Sequence, residues 1–448
     1  MKFVYTKITN LFNKYNHSFK NLILLYLSYI SLIIICSYVF AILFSIKFNV
    51  MDNNNFIILD NISYEFGELI SNLYNSKGYF HEVNGIKYYL QKLPAVPFLL
   101  LIISKISLNY YFVVISKNFI IFTIYFFLSY ILLKDFKNKI LFFFILLIPI
   151  CIPYNFSVAL NYVYEDNIIA IFLPLLFLSV ISNSNYRFYI ASLILFILYF
   201  TKTSMFLIVL ILPFIILFFE KKTIFKIKIF PLLVSMIAII IWGYFGYIKT
   251  GKFPFANTGA SNNASVLSIV LNKDFSSYYP DISTDLVPKH KPKKIFKSEW
   301  EWYEYFDSRN KNYLRNNLSN YLKDCFIKIK FIFFGIYKDG LFPNKIDLTG
   351  VTLNQKLILE GQYDRKIRIS SIISKIILNL SIILVLINLL SDLKNKSLAK
   401  ENLYFVITIG LNLLPHIIAW ATSKHLTASI NIAFIYLIIF IFKRNKLI

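Results

Sequence analysis

Two groups of carboxylates in this chain have the types and spacing for chemistry on a hydroxyl. Asp60, Glu65 and Glu68 fall close together on a stretch where Tyr64, Phe66, Leu69, Ile70 and Leu73 recur at near-helical spacing before Gly78. A carboxylate carried at a membrane surface by such a helix can take a proton from an acceptor hydroxyl. The same pattern also describes a solvated helix face with no catalytic duty. Farther on, Asn161-Tyr-Val-Tyr-Glu-Asp166 puts Glu165 and Asp166 immediately before an apolar run, where the backbone dipole alone would favour acidic residues as caps. Carboxylates from two separate loops can divide base and orienting roles, or bind a divalent cation through oxygen ligands.

Several cations sit where an anion could be held. Lys202, in Tyr199-Phe-Thr-Lys-Thr-Ser204, interrupts a run from Phe188 to Phe219 that is otherwise uncharged. An ionisable group in such a place is a functional candidate, although at a turn between short helices it can simply snorkel. Lys92, just before Pro94, can hold a phosphate or mark the membrane interface. His416 follows Pro415 in an apolar stretch, and Ser423-Lys424-His425 reads as a tight turn. Histidine beside lysine there can contact a lipid-linked anion or form an ordinary interfacial turn. HExxH, CxxC, Walker A, GxSxG and GxGxxG patterns are absent, so zinc, nucleotide and hydrolase-elbow chemistries have no motif behind them.

The elements that must position these groups are mostly membrane. The chain is 57% hydrophobic and 16% charged, against roughly half and a quarter in an ordinary soluble domain. Leu22 to Ile46 carries no charged residue, follows Lys2, Lys7, Lys14 and Lys20, and lacks a small-residue cleavage site. It reads as a retained anchor with a cytoplasmic N-terminus. The net charge of +24 fits positive-inside topology in a chain rich in Ile, Asn, Lys, Phe and Tyr; attraction to anionic lipid or phosphate is the alternative, and no nucleic-acid partner is expected. Cys36, Cys151 and Cys325 form no framework, and no disulfide is expected.

Nine further apolar stretches read as crossings: 110 to 133, 139 to 152, 167 to 182, 188 to 201, 203 to 219, 229 to 248, 371 to 391, 402 to 420 and 427 to 442. Threaded from a cytoplasmic N-terminus, they put Arg187, Lys228, Lys394, Lys400, Lys443 and their neighbours all inside, as the positive-inside rule requires. Pro94 to Ile106 would invert that order as a separate crossing, so it reads as an embedded or interfacial helix. By the same parity Phe326 to Tyr337 reads as an amphipathic surface helix. The expected fold is therefore an all-α, multi-spanning bundle of about 10–12 transmembrane helices with outer-face loops. Its expected parts are an N-terminal module, 1–248, with the outer loop 47–93 and the second acidic motif 161–166; a large external loop or subdomain, 249–370; and C-terminal helices, 371–448. The loop includes Lys289-His-Lys-Pro-Lys-Lys294, and no internal repeat is present.

A set of separated stretches, taken in order, carries a resemblance. Tyr64-Glu-Phe-Gly-Glu-Leu-Ile-Ser-Asn-Leu73 precedes Gly78-Tyr-Phe80, then Lys92 and Pro94-Ala-Val-Pro-Phe98. Glu165-Asp166, Thr201-Lys202-Thr203, the loop opening at Gly243 to Asn263, and Pro415-His416 with Ser423-Lys-His425 follow. Together they resemble the polytopic C-type (GT-C) glycosyltransferases, the class of protein mannosyltransferases, lipid A aminoarabinose transferases and lipopolysaccharide core galacturonosyltransferases. Lysine stands at Lys202 where that family has arginine. The family's leading aspartate falls near Ile62, so Asp60 and Glu65 compete for its role.

The resemblance implies inverting transfer of a sugar from a polyprenyl-phosphate carrier to a glycan, lipid or protein acceptor, at the outer face of a bacterial inner membrane. Asp60 or Glu65 would be the base, and Glu165 and Asp166 would orient substrate. Lys92 and Lys202 would stabilise the departing phosphate, with Tyr64, Glu68, His416, Lys424 and His425 also in the substrate site. No cofactor is required; a divalent metal is compatible with the carboxylates. The competing readings are an O-antigen polymerase or ligase, and a flippase or transporter for lipid-linked sugars, which should carry its charges along pathway-lining helices.

Overall fold

The computed structural model describes residues 19–43, 63–83, 85–90, 92–133, 139–151, 165–220, 223–254, 296–334, 365–394, 399–418 and 423–444. Each expected crossing is a helix: α1 Phe19–Leu43, α4 Tyr110–Leu133, α5 Lys139–Cys151, α6 Asp166–Ile181, α7 Arg187–Thr201, α8 Phe206–Phe219, α10 Phe230–Thr250, α12 Arg365–Lys394, α13 Lys400–Ile418 and α14 Ser423–Arg444. Among the described residues, five segments are long and apolar enough to cross a membrane. Between α1 and α4 lie α2 Ser63–Tyr74, a hairpin of β1 His81–Val83 and β2 Ile86–Tyr88, and α3 Ala95–Ser104. The short α9 Phe225–Lys228 leads into α10, and α11 Glu299–Phe334 belongs to the second long loop. Cys36 and Cys325 form no disulfide, and the side chain of Cys151 lies outside the described residues.

The expected helix at Pro94 to Ile106 is α3, whose ten residues span about 15 Å, half a hydrocarbon core. Two expectations need correction. Phe326 to Phe334 is not a separate surface helix but the end of the 36-residue α11, which bends at Asn317 (φ −133°, ψ 27°); there is no proline or glycine between Glu299 and Phe334 to stop it. Ser423, Lys424 and His425 form the first turn of α14 rather than a loop turn.

The charged loops gather at one end. Arg187 donates to Ser182 O, to Thr223 and to Glu220, the last at 2.7 Å. Lys400 Nζ lies 3.2 Å from Glu220, Tyr404 donates its hydroxyl to the same carboxylate, and Ser182 donates to Leu132 O. Lys443 pairs with Glu401 nearby. The ends of α4, α6, α8 and α14 and the starts of α7 and α13 thus meet at what we term the arginine end. The opposite end, with the hairpin and Lys202, is the loop end.

α6 is the central helix. Every residue from Asp166 to Val180 is buried, as expected of a helix apolar all round, and it packs against α4, α7, α13 and α14. Its Pro174 has no N–H, which leaves the Ala170 carbonyl without its helical donor. Asn431 of α14 supplies one, Nδ2 to Ala170 O at 2.7 Å. Asn431→Leu is therefore expected to lower stability by about 1 kcal/mol, and by less in a Pro174→Ala background that restores the helical N–H. Unfolding of the four proteins in one detergent, read as a double-mutant cycle, checks this coupling.

Candidate functional site

The turn after α7 aims Lys202 inward rather than out to solvent. Its backbone leaves the helix (φ −154°, ψ 139°), and Nζ reaches Asp166 Oδ1 at 2.7 Å and Glu165 Oε1 at 3.7 Å. Glu165 occupies the N-cap position of α6 without a side-chain capping bond, and Asp166 stands in the first turn, where the backbone dipole favours it. The local chain explains the pairing with Lys202, because α6 and α7 are antiparallel neighbours of 16 and 15 residues, so the start of one lies beside the end of the other. Asn167, next in α6, donates to Asn118 Oδ1 of α4 at 3.1 Å. Glu165 Oε2, Asn167 Oδ1 and Ser204 Oγ are buried atoms with no hydrogen-bond partner among the described residues, a concentration of polar capacity that water or a ligand could use.

The cluster is recessed. From the arginine end, α6 and α7 rise about 22 Å, whereas α10 rises about 30 Å. Because α10 starts level with α7, where Phe230 meets Tyr189, its upper part continues past the level of the cluster and carries an aromatic wall. Trp242 and Phe245 stack at 5.3 Å and meet Tyr79, which stacks on Phe98 of α3 at 6.1 Å. Phe253 and Pro254 fold back against α10, where a Cβ on Gly243 or Gly246 would lie 2.0 or 2.4 Å from their rings; glycine is the residue that fits there. Lys92 stands at this end with Nζ 5.7 Å from the Phe66 ring centre, and its carbonyl accepts from the Tyr79 hydroxyl at 2.6 Å.

The hairpin is fixed by two glutamates. Glu68 accepts from Glu82 N–H at 2.8 Å, tying α2 to β1. Glu299, at the start of α11, is 3% exposed and accepts from Tyr89 N–H and Leu90 N–H at 2.8 Å each and from the Tyr303 hydroxyl at 2.5 Å. Burial pushes its carboxyl above the usual range, against the pull of those hydrogen bonds. Burial and then the Glu299 charge raise the Tyr79 phenol, and likewise push Tyr88 up to about 12. The two long loops are thereby joined at one end.

Of the residues singled out in the sequence, the structure brings Glu165, Asp166 and Lys202 together. Glu68 and Lys92 lie around the hairpin, and His416 is buried on α13, a helix that packs against the 3₁₀ turn Thr203–Met205 after Lys202. Asp60 and the side chains of Tyr64, Glu65, Lys424 and His425 lie outside the described residues, although Tyr64 and Glu65 are on α2. Sequence reading missed Lys117, fully buried on α4, and its neighbour Asn118; a Lys-Asn pair inside an apolar stretch was the available signal. It also missed Glu299, which no motif marks. Among the described residues, no three His, Cys, Asp or Glu side chains are grouped to hold a metal, and Lys202 already engages Asp166.

The fold is that of an all-α membrane protein, with a charged cluster recessed at one end of the bundle. The chain matches no protein-family model, no curated protein and no solved structure.

Removing one partner of a buried ion pair strands the other charge. Lys202→Met is expected to destabilise the protein by about 3 kcal/mol, and adding Asp166→Asn should recover part of the loss; chemical unfolding of both variants tests this. Glu299→Ala leaves the Tyr89 and Leu90 N–H groups without their acceptor, at about 1–3 kcal/mol of local stability. Hydrogen exchange should quicken over residues 81–93 while α6 and α7 stay protected.

Proposed function

We propose that this protein is an inverting glycosyltransferase of GT-C type that uses a polyprenyl-phosphate sugar, with the arginine end cytoplasmic and the loop end on the outer face of a bacterial inner membrane. The observation that carries the reading is the recessed Lys202, Asp166 and Glu165 cluster, at the same end as the aromatic wall, α2 and Lys92. The clustering of Arg187, Lys400 and Lys443 at the opposite end supports the orientation.

In this mechanism Asp60 or Glu65 takes the acceptor hydroxyl proton as its oxygen attacks the anomeric carbon. The bond from that carbon to the phosphate oxygen breaks, and the lipid phosphate leaves with the electron pair. Lys92 and Lys202 offset the developing charge, and Glu165 and Asp166 accept hydrogen bonds from sugar hydroxyls. The second reading, a transporter of lipid-linked sugars, is favoured by one observation: Lys117 and Asn118 place polar groups deep inside the helices.

The test is purified protein incubated with radiolabelled polyprenyl-phosphate sugars and a membrane extract supplying the acceptor. Wild type should move label from lipid to acceptor, and either Asp60→Asn or Glu65→Gln should reduce the rate by about 100-fold or more. Label that stays on the lipid, but crosses the bilayer of a proteoliposome, would replace the transferase with the transporter.

A further inference from the structure

The second half of α11 has two sides. One faces the bundle: Lys328 and Ile332 are fully buried, the Tyr321 hydroxyl donates to Ile418 O at the loop end of α13, and Asn379 of α12 donates to Phe333 O. The other carries Leu318, Leu322 and Phe326 at i, i+4 and i+8, which are 55%, 49% and 70% exposed. Lys330 continues this stripe at the next i+4 step and Lys323 flanks it, both exposed. Before the bend, Lys311 and Arg315 are exposed as well.

The two anchoring contacts fix the helix's slope. Along α12, Asn379 lies about 22 Å above Lys394, and along α13, Ile418 lies about 27 Å above Lys400. Lys394 and Lys400 flank one short connection at the arginine end, where Ala399 N–H donates to Asp392. From Tyr321 to Phe333 the helix runs about 18 Å but changes depth by only about 5 Å. It therefore lies nearly in the plane of the membrane, about 3–8 Å inside the loop-end edge of a hydrocarbon core of about 30 Å, the depth at which interfacial helices bury an apolar face.

We propose that this segment, Leu318 to Phe334, is a binding surface for anionic phospholipid in the leaflet at the loop end. Leu318, Leu322 and Phe326 enter the acyl boundary, and Lys323 and Lys330 contact the headgroup phosphates. An apolar stripe bordered by lysines at interfacial depth has this lipid as its complement in both polarity and charge.

The test uses Phe326→Trp, with Leu322→Trp as a second probe, in vesicles of phosphatidylcholine. A small equal fraction of lipid brominated on its chains is added, either as phosphatidylglycerol or as phosphatidylcholine. Quenching is taken as the difference from protein carrying only the native four tryptophans. Brominated phosphatidylglycerol should quench the added tryptophan at least about threefold more strongly, and Lys323→Gln with Lys330→Gln should bring the ratio to about one. Equal quenching by both lipids with the lysines intact, no quenching by either, or a ratio indifferent to the two lysines would each overturn the proposal. None of these readings depends on glycosyl transfer.

Discussion

The burial of α6 on every side is the constraint on which the rest of the structure depends. A helix surrounded by other helices has no water to satisfy a broken backbone bond or a charge, so its irregularities must be met by neighbours. Pro174 frees the Ala170 carbonyl, and Asn431 answers it from α14. Asp166 begins the helix and Lys202 answers it from the turn after α7. These two contacts act at different depths and from different sides, so they fix the helix both in register and in rotation. The C-terminal helices are thus part of the same bundle as the early ones.

The ends of the bundle are organised differently. At the arginine end, Glu220 collects Arg187 of α7 together with Lys400 and Tyr404 of α13, which closes the short loops on one another. At the loop end the connections are long, and rigidity comes from single carboxylates that accept backbone N–H groups. Glu68 holds β1 and Glu299 holds the chain just after β2. Their placement lets α11 begin against the hairpin beside the aromatic wall.

The helices were legible because apolar length is a strong signal: every crossing read from hydropathy corresponds to a helix, and α2 followed from the spacing of Phe66, Leu69 and Ile70. The hairpin was signalled by Asn84-Gly85, a dipeptide suited to a tight turn, with Gly85 at φ +79°, yet two three-residue strands carry too little pattern to be read around it. The pairing of Asp166 with Lys202 was not legible, since helix lengths and antiparallel packing, not sequence distance, bring them within 2.7 Å. Lys202 read equally well as a snorkelling residue until its direction was known. α11 was read short because the apolar part after Cys325 was separated from the polar part before it. The bend at Asn317 leaves both in one helix.

Charge balance distributes the work at the loop end. Lys202 has two carboxylates within 3.7 Å, so a phosphate approaching Nζ would meet Glu165 and Asp166 as well. In a poorly screened recess that opposition is worth several times its value in water. Lys92 has its Nζ over the Phe66 ring, whose face attracts a cation. The Lys202 cluster, with acceptors to spare in Glu165 Oε2 and Asn167 Oδ1, is better matched to the uncharged hydroxyls of a sugar.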